Sequence, residues 1–311
     1  MSAADTSDPL IGAGFETIYR QQIEPELLRL EAERGKAMRL AWLIWFAGAA
    51  LLGVECLATG LITAGRHWWP PELLFWITVI GTIAFGYAPL AVVASNAKAK
   101  VISTLCAPLG VKFQMRGFEP PAFDRLTSLN LLPKPEGKTF EDFFWGSRGT
   151  SDFSLYEATL TRGSGKNRRT VFRGQIFRVE FPRKFLGTTV VLRDSGWLNA
   201  FECPKGLEKV GLEDPHFEKI FQVFGDDQVE ARAILTPTFM EHLIALEQAY
   251  AGENLRCGFE AGHLLIAIET PDHFEIGGMF SSLVDKKRVE RIAGDLRAVF
   301  NLIDAFVESP R

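Results

Sequence analysis

The chain has 311 residues and a formal net charge of −4 at pH 7. This balance argues against the strongly basic surface that nucleic-acid binding needs, so we expect no nucleic-acid partner. The length allows two domains. The four cysteines are scattered without a C-x-x-C pair, so they indicate neither a disulfide framework nor a zinc site.

Residues 1–39 are predicted to form a mobile tail followed by an amphipathic helix. The first 13 residues have little apolar bulk. From Gly14 to Arg39, apolar residues recur every three or four positions, which predicts a helix that Pro25 could bend. Its polar side is rich in glutamate, so we expect it to pack on the cytosolic domain. The alternative is a helix lying on the inner membrane face.

Two long apolar runs follow, from Leu40 to Ala64 and from Leu73 to about Ala94. Each exceeds the roughly 20 residues that a helix needs to cross a bilayer. The segment between them contains paired tryptophans and Pro70-Pro71, which are typical of a membrane–water interface and of a helix break. We therefore predict a transmembrane helical hairpin over residues 40–97.

The cations that flank these runs predict their orientation. They are Arg29, Arg34, Lys36 and Arg39 before the first run, and Lys98, Lys100 and Lys112 after the second. The turn between the runs has Arg66 as its one firm cation. By the positive-inside rule, both termini are expected in the cytoplasm, which makes residues 98–311 a cytosolic domain.

Glu55 lies near the middle of the first predicted span, roughly 16 Å from its outer end. A carboxylate at this depth is costly, so a partner or protonation is expected. Counting residues to equal depth points to Thr82 on the second span, with Thr78 one turn away. Glu55 is therefore either a proton or ion site, or a glutamate that is hydrogen-bonded to the neighbouring helix.

Small residues in the spans would allow helices to approach closely. The pairs are Ala49-x-x-x-Gly53 and Gly60-x-x-x-Ala64. They raise the possibility of a homo-oligomer formed through the spans.

Residues 98–311 show strand patterns first and mixed elements later, which favours an α+β fold with a mainly antiparallel sheet. An aromatic patch at residues 140–145 is expected in the core. The predicted strands are 112–118, 153–161, 175–181, 187–193, 216–224, 255–259 and 263–269. The predicted helices are 227–235, 237 to about 252, and 284 onward. The whole chain is therefore predicted to be a membrane-anchored α+β protein.

Three stretches carry a resemblance to a known family. They are Phe15-Glu16-Thr17-Ile18-Tyr19 with Glu24-Pro25 and Leu30-Glu31, then Phe172-Arg173-Gly174-Gln175-Ile176-Phe177, and finally Phe224-Gly225-Asp226-Asp227-Gln228-Val229-Glu230-Ala231-Arg232 leading into Leu235-Thr236-Pro237. In these stretches the chain resembles the bacterial domain-of-unknown-function family 3137 over residues 14–306. The resemblance implies a bacterial membrane protein with a paired span and a cytosolic domain. It implies no activity and no catalytic residue.

Motifs for catalysis, metal or cofactor binding are not assembled in the sequence. Ser164-Gly165-Lys166 lacks the first glycine and the final hydroxyl of a phosphate loop. The histidines have no ligand spacing, so we predict no metal and no cofactor. Acidic pairs at Asp214 and at Asp226-Asp227 are expected to be helix caps and solvated turns.

A basic cluster occupies residues 162–184, where Glu180 is the one acid. Its predicted membrane-contacting residues are Arg162, Lys166, Arg168, Arg169 and Arg173. One hypothesis is that this hairpin touches anionic lipid headgroups, with each base adding about 1 kcal/mol of attraction. The alternative is a solvated face that keeps the domain soluble.

Three functions remain open from the sequence. The favoured one is a membrane-anchored binding or scaffold protein whose cytosolic domain meets a protein partner. The second is a transport accessory or ion-site protein that uses Glu55. The third is an enzyme of unrecognised type, which a pocket joining His216 or His242 to an acid would support.

Overall fold

The computed structural model describes residues 9–64, 71–181, 185–194, 204–249, 254–271, 274 and 281–307. The chain divides into two compact units. Unit 1 comprises residues 1–105 and 275–291, and unit 2 comprises residues 106–274 and 292–311. A late segment of the chain therefore belongs with the N-terminal helices, which the predicted division at residues 39/40 and 97/98 does not include.

Unit 1 is built on two long helices. Its elements are α1 (Gly12–Ile18), a π-helical turn (Tyr19–Ile23), α2 (Glu24–Ile62) and α3 (Glu72–Cys106). Pro25 lies in the first turn of α2, where a missing N–H costs no intrahelical hydrogen bond. Residues 1–8 of the predicted tail and residues 65–70 of the predicted turn lie outside the described residues.

Helices α2 and α3 approach each other closely at two glycines. A Cβ atom added to Gly48 would come closer than 3.0 Å to the side chain of Thr82, and one added to Gly86 would do the same to Trp45. Gly53, by contrast, has no atom within 4 Å of such a Cβ. The small residues that bring the two helices together are therefore Gly48 and Gly86, whereas Gly53 faces open space.

Both helices are long and apolar enough to cross a membrane. Their large apolar side chains are mostly turned outward. Leu43 is 67% exposed, Ile80 61% and Phe85 72%. These helices therefore lack the surrounding protein that a soluble core helix would have.

The late segment of unit 1 packs against the N-terminal part of its helices. The carboxylate of Glu31 accepts a hydrogen bond from the backbone N–H of Leu283 at 2.9 Å. Lys286 forms an ion pair with Glu16, with 2.5 Å between Nζ and Oε2. Lys286 is also the first residue of α8 (Lys286–Val307), so α8 begins on unit 1.

Unit 2 contains a nine-stranded sheet in the part of the chain that the structure describes. Its strands are β1 (Lys112–Gln114), β2 (Gly137–Arg148), β3 (Ser151–Arg162), β4 (Arg169–Glu180), β5 (Thr189–Arg193), β6 (Glu208–Val210), β7 (Phe221–Gly225), β8 (Arg256–Glu260) and β9 (His263–Glu269). The spatial order is β1-β2-β3-β4-β9-β8-β5-β7-β6, and all neighbouring pairs are antiparallel. This confirms the predicted α+β fold with an antiparallel sheet.

Helices cover parts of both faces of the sheet. The remaining ones are α4 (Phe123–Ser128), α5 (Pro215–Ile220), α6 (Gln228–Ile234) and α7 (Pro237–Ala249). On one face, Phe123 and Leu126 of α4 join a core cluster with Tyr156 and Phe172. On the other, Phe300 of α8 packs edge-on against Phe153, and Phe239 of α7 packs against Phe259. Because both faces are covered, β4 is buried on both sides at Ile176 and Phe177.

The strand register defines two ends of the sheet. The hairpin tip, residues 162–169, lies beyond the directly opposed pair Arg162 and Arg169. At the far end, one row crosses the sheet through Phe153, Val179, Leu264, Phe259, Thr189 and Gly225. Nine residues separate Phe153 from Arg162, so the ends are about 30 Å apart. Gly146 pairs with Phe153, which belongs to this row. A Cβ atom added to Gly146 would lie 3.5 Å from the Cα atom of Val111, so unit 2 begins near the far end of the sheet.

The predicted strand at residues 216–224 is wrong in its first half. Residues Pro215–Ile220 form α5, and the strand begins at Phe221. Asp214 caps the helix by accepting hydrogen bonds from the N–H groups of His216 and Phe217, and Pro215 occupies its first turn. This local start signal overrides the apparent alternation of residues 217–223.

A second difference is β2, where the sequence predicts an aromatic patch and no strand. The strand contains a bulge between Glu141 and Phe144, and Asp142 lies there with φ at 54°. A bulge inserts extra residues, so the side-chain alternation breaks in the middle of the strand. That break hides the period of two on which strand prediction depends.

Candidate functional sites

Glu55 has a hydrogen-bond partner across the helix pair. Thr78 Oγ1 donates to Glu55 Oε1 at 2.8 Å. Glu55 lies seven residues before the end of α2 and Thr78 six residues after the start of α3, so the two are at similar depth. Thr82, the partner that the sequence favours, contacts Gly48 instead.

Only one oxygen of the Glu55 carboxyl group is satisfied in this way. Oε2 is buried and has no hydrogen-bond partner within the described part of the chain. A buried carboxyl oxygen without a donor is costly in an apolar environment. The Glu55–Thr78 pair therefore has capacity for one further donor or cation.

The hairpin tip collects four of the five predicted membrane-contacting residues. Arg162 and Arg169 lie opposite each other across β3 and β4, and Lys166 lies in the 3₁₀ turn between them. Arg168 Nε donates to Thr161 Oγ1 at 3.1 Å. Directly opposed like charges destabilise a strand pair, so an anion at the tip would relieve this repulsion.

The tip also includes an acid that the local sequence does not reveal. Glu136 Oε2 accepts a hydrogen bond from the N–H of Gly163 at 3.1 Å. Arg162 is also engaged, since its Nη2 donates to the carbonyl of Lys134 at 2.9 Å. The tip is therefore less basic than the run of residues 162–184 suggests, and Arg183 and Lys184 lie outside the described residues.

Arg173 does not join the hairpin tip. It lies four residues further along β4, about 13 Å from Arg169. There it borders a small polar depression that also contains Glu141, Glu157 and Thr159. The carboxylates around Arg173 offset its charge, so we assign it to the sheet surface and not to the basic tip.

The Gly225–Glu230 stretch, which carries the most specific family resemblance, holds the segment before β5 in place. Asp226 Oδ1 accepts the N–H of Thr188 at 2.7 Å. Glu230 accepts the N–H groups of Leu186 and Gly187 at 2.9 and 2.6 Å. We call this arrangement, in which two carboxylates bind three consecutive N–H groups, the carboxylate clamp.

Asp227 and Glu230 have the spacing of a capping box, but their carboxylates bind different parts of the chain. Asp227 caps α6 by accepting the N–H groups of Val229 and Glu230 at 2.8 and 3.0 Å. The carboxylate of Glu230 instead reaches the segment at residues 186–187, more than 40 positions earlier. Sequence reasoning missed this role because no local pattern reveals such a distant partner.

A cleft of about 300 Å³ lies beside the clamp at the far end of the sheet. Its apolar wall includes Phe181, Phe185 and Leu186, and its polar side includes Glu180 and His263. Nη2 of Arg178 lies 2.6 Å from Nε2 of His263. Arginine can only donate, so this ring nitrogen accepts. Burial and the neighbouring Arg178 lower the pKa of His263, which keeps the ring neutral.

The histidines singled out from the sequence do not form a metal site. His216 is exposed on the six-residue helix α5, next to its cap Asp214. Among the described residues, no group of three or more His, Cys, Asp or Glu side chains could hold a metal ion. Among the described histidines, His263 borders a cleft, and no motif in the sequence distinguishes it.

Comparisons with known proteins add a family. A family model described as "Protein of unknown function (DUF3137)" matches residues 170–307. This range contains the second and third resembling stretches, and residues 15–31 lie outside it. No curated protein matches the chain. Among solved structures, the chain is similar to the "crystal structure of the mycobacterial trehalose monomycolate transport factor A, TtfA", with 7% identity, a TM-score of 0.36, and coverage of 66% of this chain and 95% of that chain. The match over residues 170–307 supports the predicted resemblance of this chain to the DUF3137 family.

Proposed function

We propose that the protein is a membrane-anchored binding or scaffold protein with a cytosolic interaction domain. The observation that carries this proposal is the outward-facing apolar surface of α2 and α3, where Leu43, Ile80 and Phe85 are all more than half exposed. Exposing so large an apolar surface to water is unfavourable, whereas the hydrocarbon core of a bilayer would cover it. This exposed surface supports the proposed location in the bacterial inner membrane.

The flanking cations support cytoplasmic termini. Lys36 and Arg39 precede the apolar part of α2, and Lys100 follows that of α3. A C-terminal reporter fusion to the full chain is expected to be active in the cytoplasm, and the protein should stay with membranes after a carbonate wash. A monodisperse full-length protein in detergent-free buffer would contradict the proposal.

The attachment of the late segment to the N-terminal helices supports a scaffold that also reports on the membrane. Glu31 accepts a hydrogen bond from the N–H of Leu283, and Glu16 pairs with Lys286. The start of α8 is therefore attached to the helical residues that precede the apolar run. A shift of α2 would therefore pull on the first turn of α8. Affinity isolation of the detergent-solubilised protein should yield one stoichiometric protein companion, whereas a co-purifying small molecule would favour binding or catalysis.

The hairpin tip is our candidate surface for anionic headgroups. In nanodiscs, acetylation of Lys166 should be about fivefold slower with anionic than with zwitterionic lipid, since each base contributes about 1 kcal/mol. Arg169→Glu should remove most of this protection, and so should high salt. Lys209, on the edge strand β6, is the internal control. Equal acetylation of Lys166 in both lipids would contradict lipid contact.

A second candidate function is ion or proton handling at Glu55, favoured by its unsatisfied Oε2. Glu55→Gln keeps an oxygen that accepts from Thr78, so it should leave the thermal midpoint nearly unchanged. Thr78→Val removes the donor and should cost about 0.6 kcal/mol. If Glu55 carries function, the Gln variant should lose it while remaining folded. Full cellular function of that variant would contradict an ion site.

A further inference from the structure

The cleft beside the carboxylate clamp has a wall whose position the clamp fixes. Leu186 borders the cleft, and its N–H donates to Glu230 at 2.9 Å. A Cβ atom on the next residue, Gly187, would lie 2.5 Å from Asp226 Oδ1 and 2.7 Å from Glu230 Oε2. Only a glycine lets both carboxylates reach the backbone here. The ordering entropy of this wall is therefore lost on folding and not on ligand binding, which is the condition for a preorganised site.

The same wall continues into a cluster of four phenylalanine rings. Phe181 and Phe185 border the cleft, with their ring centroids 5.8 Å apart. Both pack edge-on against Phe259, at 5.8 and 5.9 Å, and Phe239 packs against Phe259 at 5.3 Å. Phe239 and Phe259 are fully buried. The two rings at the cleft therefore have a packed backing and form a firm apolar surface.

The polar side of the cleft offers a carboxylate with spare capacity. Glu180 is exposed and lies opposite His263 across β4 and β9. Within the described part of the chain, Glu180 forms no ion pair, and the one donor that reaches it is the N–H of Asp152, at 3.5 Å. A carboxylate can accept about four hydrogen bonds. Glu180 can therefore accept a hydrogen bond from a ligand.

His263 does not compete for this role, because its ring is already engaged on two sides. Nε2 accepts from Arg178, and the ring also hydrogen-bonds to the backbone of Ala261. The neutral ring thus adds a flat wall and no charge. Among the described residues that border the cleft, Glu180 carries the one formal charge.

We propose that this cleft binds a small molecule with an apolar body and a terminal hydrogen-bond donor, an alcohol or an amine, which donates to Glu180. The volume of about 300 Å³ equals about ten water-sized groups and lies at the lower end of the range for ligand sites. Arg183 and Lys184 lie outside the described residues, so the neutral and the cationic donor are separate arms of the test. This site goes beyond the proposed scaffold role and does not depend on the membrane anchor.

Three probes that share a phenyl ring test this chemistry: 2-phenylethanol, 2-phenylethylamine and phenylacetate. Saturation-transfer NMR measures their binding to the full chain in nanodiscs, with the signal of empty nanodiscs subtracted. The alcohol or the amine should bind with a Kd of about 1 mM, as expected for a ligand of about ten atoms. Phenylacetate should bind at least about tenfold more weakly, because its carboxylate would face that of Glu180. A tighter amine identifies a cationic donor, and a tighter alcohol identifies a neutral one.

Four variants locate the binding. Thr150→Trp puts a large ring at the exposed border of the cleft and should abolish binding at an unchanged thermal midpoint. Glu180→Gln keeps the shape of the side chain and should weaken the tighter probe about fivefold, because charge-assisted hydrogen bonds are the stronger ones. Glu208→Gln, exposed on the edge strand β6, is its matched control and should change nothing. Gly187→Ala keeps every bordering residue but opens the clamp, and it should also weaken binding about fivefold.

Four results would overturn the proposal. They are no binding of either the alcohol or the amine, binding that survives Thr150→Trp, binding that Glu180→Gln leaves unchanged, and phenylacetate that binds as tightly as the other two probes. Carbonate extraction and the reporter fusion test the membrane anchor independently. A cleft that binds none of the probes while the anchor holds is therefore distinguishable from failure of the proposed function.

Discussion

Replacing Gly174 by alanine is expected to disrupt the centre of the sheet. Gly174 lies on β4 opposite Glu269 of β9, and a Cβ there would come closer than 3.0 Å to the carbonyl of Ile268 and to the Cα of Glu269. These are backbone atoms of a paired strand, so no side chain can move aside. We expect a loss of about 3 kcal/mol or more in the free energy of unfolding.

The chain offers a matched control for this substitution. Gly294 is exposed in the middle of α8, and an added Cβ there meets no atom within 4 Å. Gly294→Ala should raise stability by about 0.8 kcal/mol, because alanine is the better helix former. Urea unfolding of the full chain in detergent measures the stability of both variants. Hydrogen exchange of β4 and β9 shows whether the loss in Gly174→Ala lies at this strand pair. A Gly174→Ala variant as stable as the original protein would contradict the tight approach of β4 and β9.

Glu269→Gln is expected to have the second large effect, through the buried Arg256. Arg256 is 5% exposed, pairs with Glu269, and donates to the carbonyl of Leu131 at 3.3 Å. Burial lowers the pKa of Arg256, which Glu269 partly opposes. Without the carboxylate, the buried guanidinium keeps its hydrogen bond to Leu131 but loses the negative charge of Glu269. We expect a cost of about 3 kcal/mol.

Replacing Arg256 should lower the free energy of unfolding less than replacing Glu269. Arg256→Met removes the ion-pair partner of Glu269, but the carboxylate still accepts from Asn254 Nδ2 at 3.4 Å, and its side chain is 29% exposed and can be hydrated. We therefore expect a cost of about 1 to 2 kcal/mol. The more exposed pair of Arg125 and Glu260 is the control, where Arg125→Met should cost less than about 1 kcal/mol. If Arg256→Met lowered the denaturation midpoint more than Glu269→Gln did, the burial of Arg256 would not determine the energetics of this ion pair.

Local signals in the sequence predicted much of the fold. The turn between β8 and β9 has Ala261 and Gly262 at φ values of 49° and 76°, as a tight hairpin requires. The start of α7 follows Thr236, whose Oγ1 accepts from Phe239 N–H at 3.3 Å. Such features depend on a few neighbouring residues, so they can be read directly from the chain.

Features that depend on distant residues could not be predicted in this way. The clamp joins Glu230 to Leu186, and the basic tip receives Glu136 from a segment before β2. Counting residues along the spans places Thr82 opposite Glu55, whereas the packing of the two helices brings Thr78 to it. In each case, tertiary structure decides which polar groups meet, and no period in the sequence encodes that choice.

The outer strands of the sheet limit how this domain can recognise other chains. β1 and β6 are each only three residues long and carry exposed lysines at Lys112 and Lys209. Short, charged borders give an extended peptide little backbone to align with, and they discourage polymerisation by strand addition. Such borders protect the domain against fibre formation and favour recognition through side chains over strand addition.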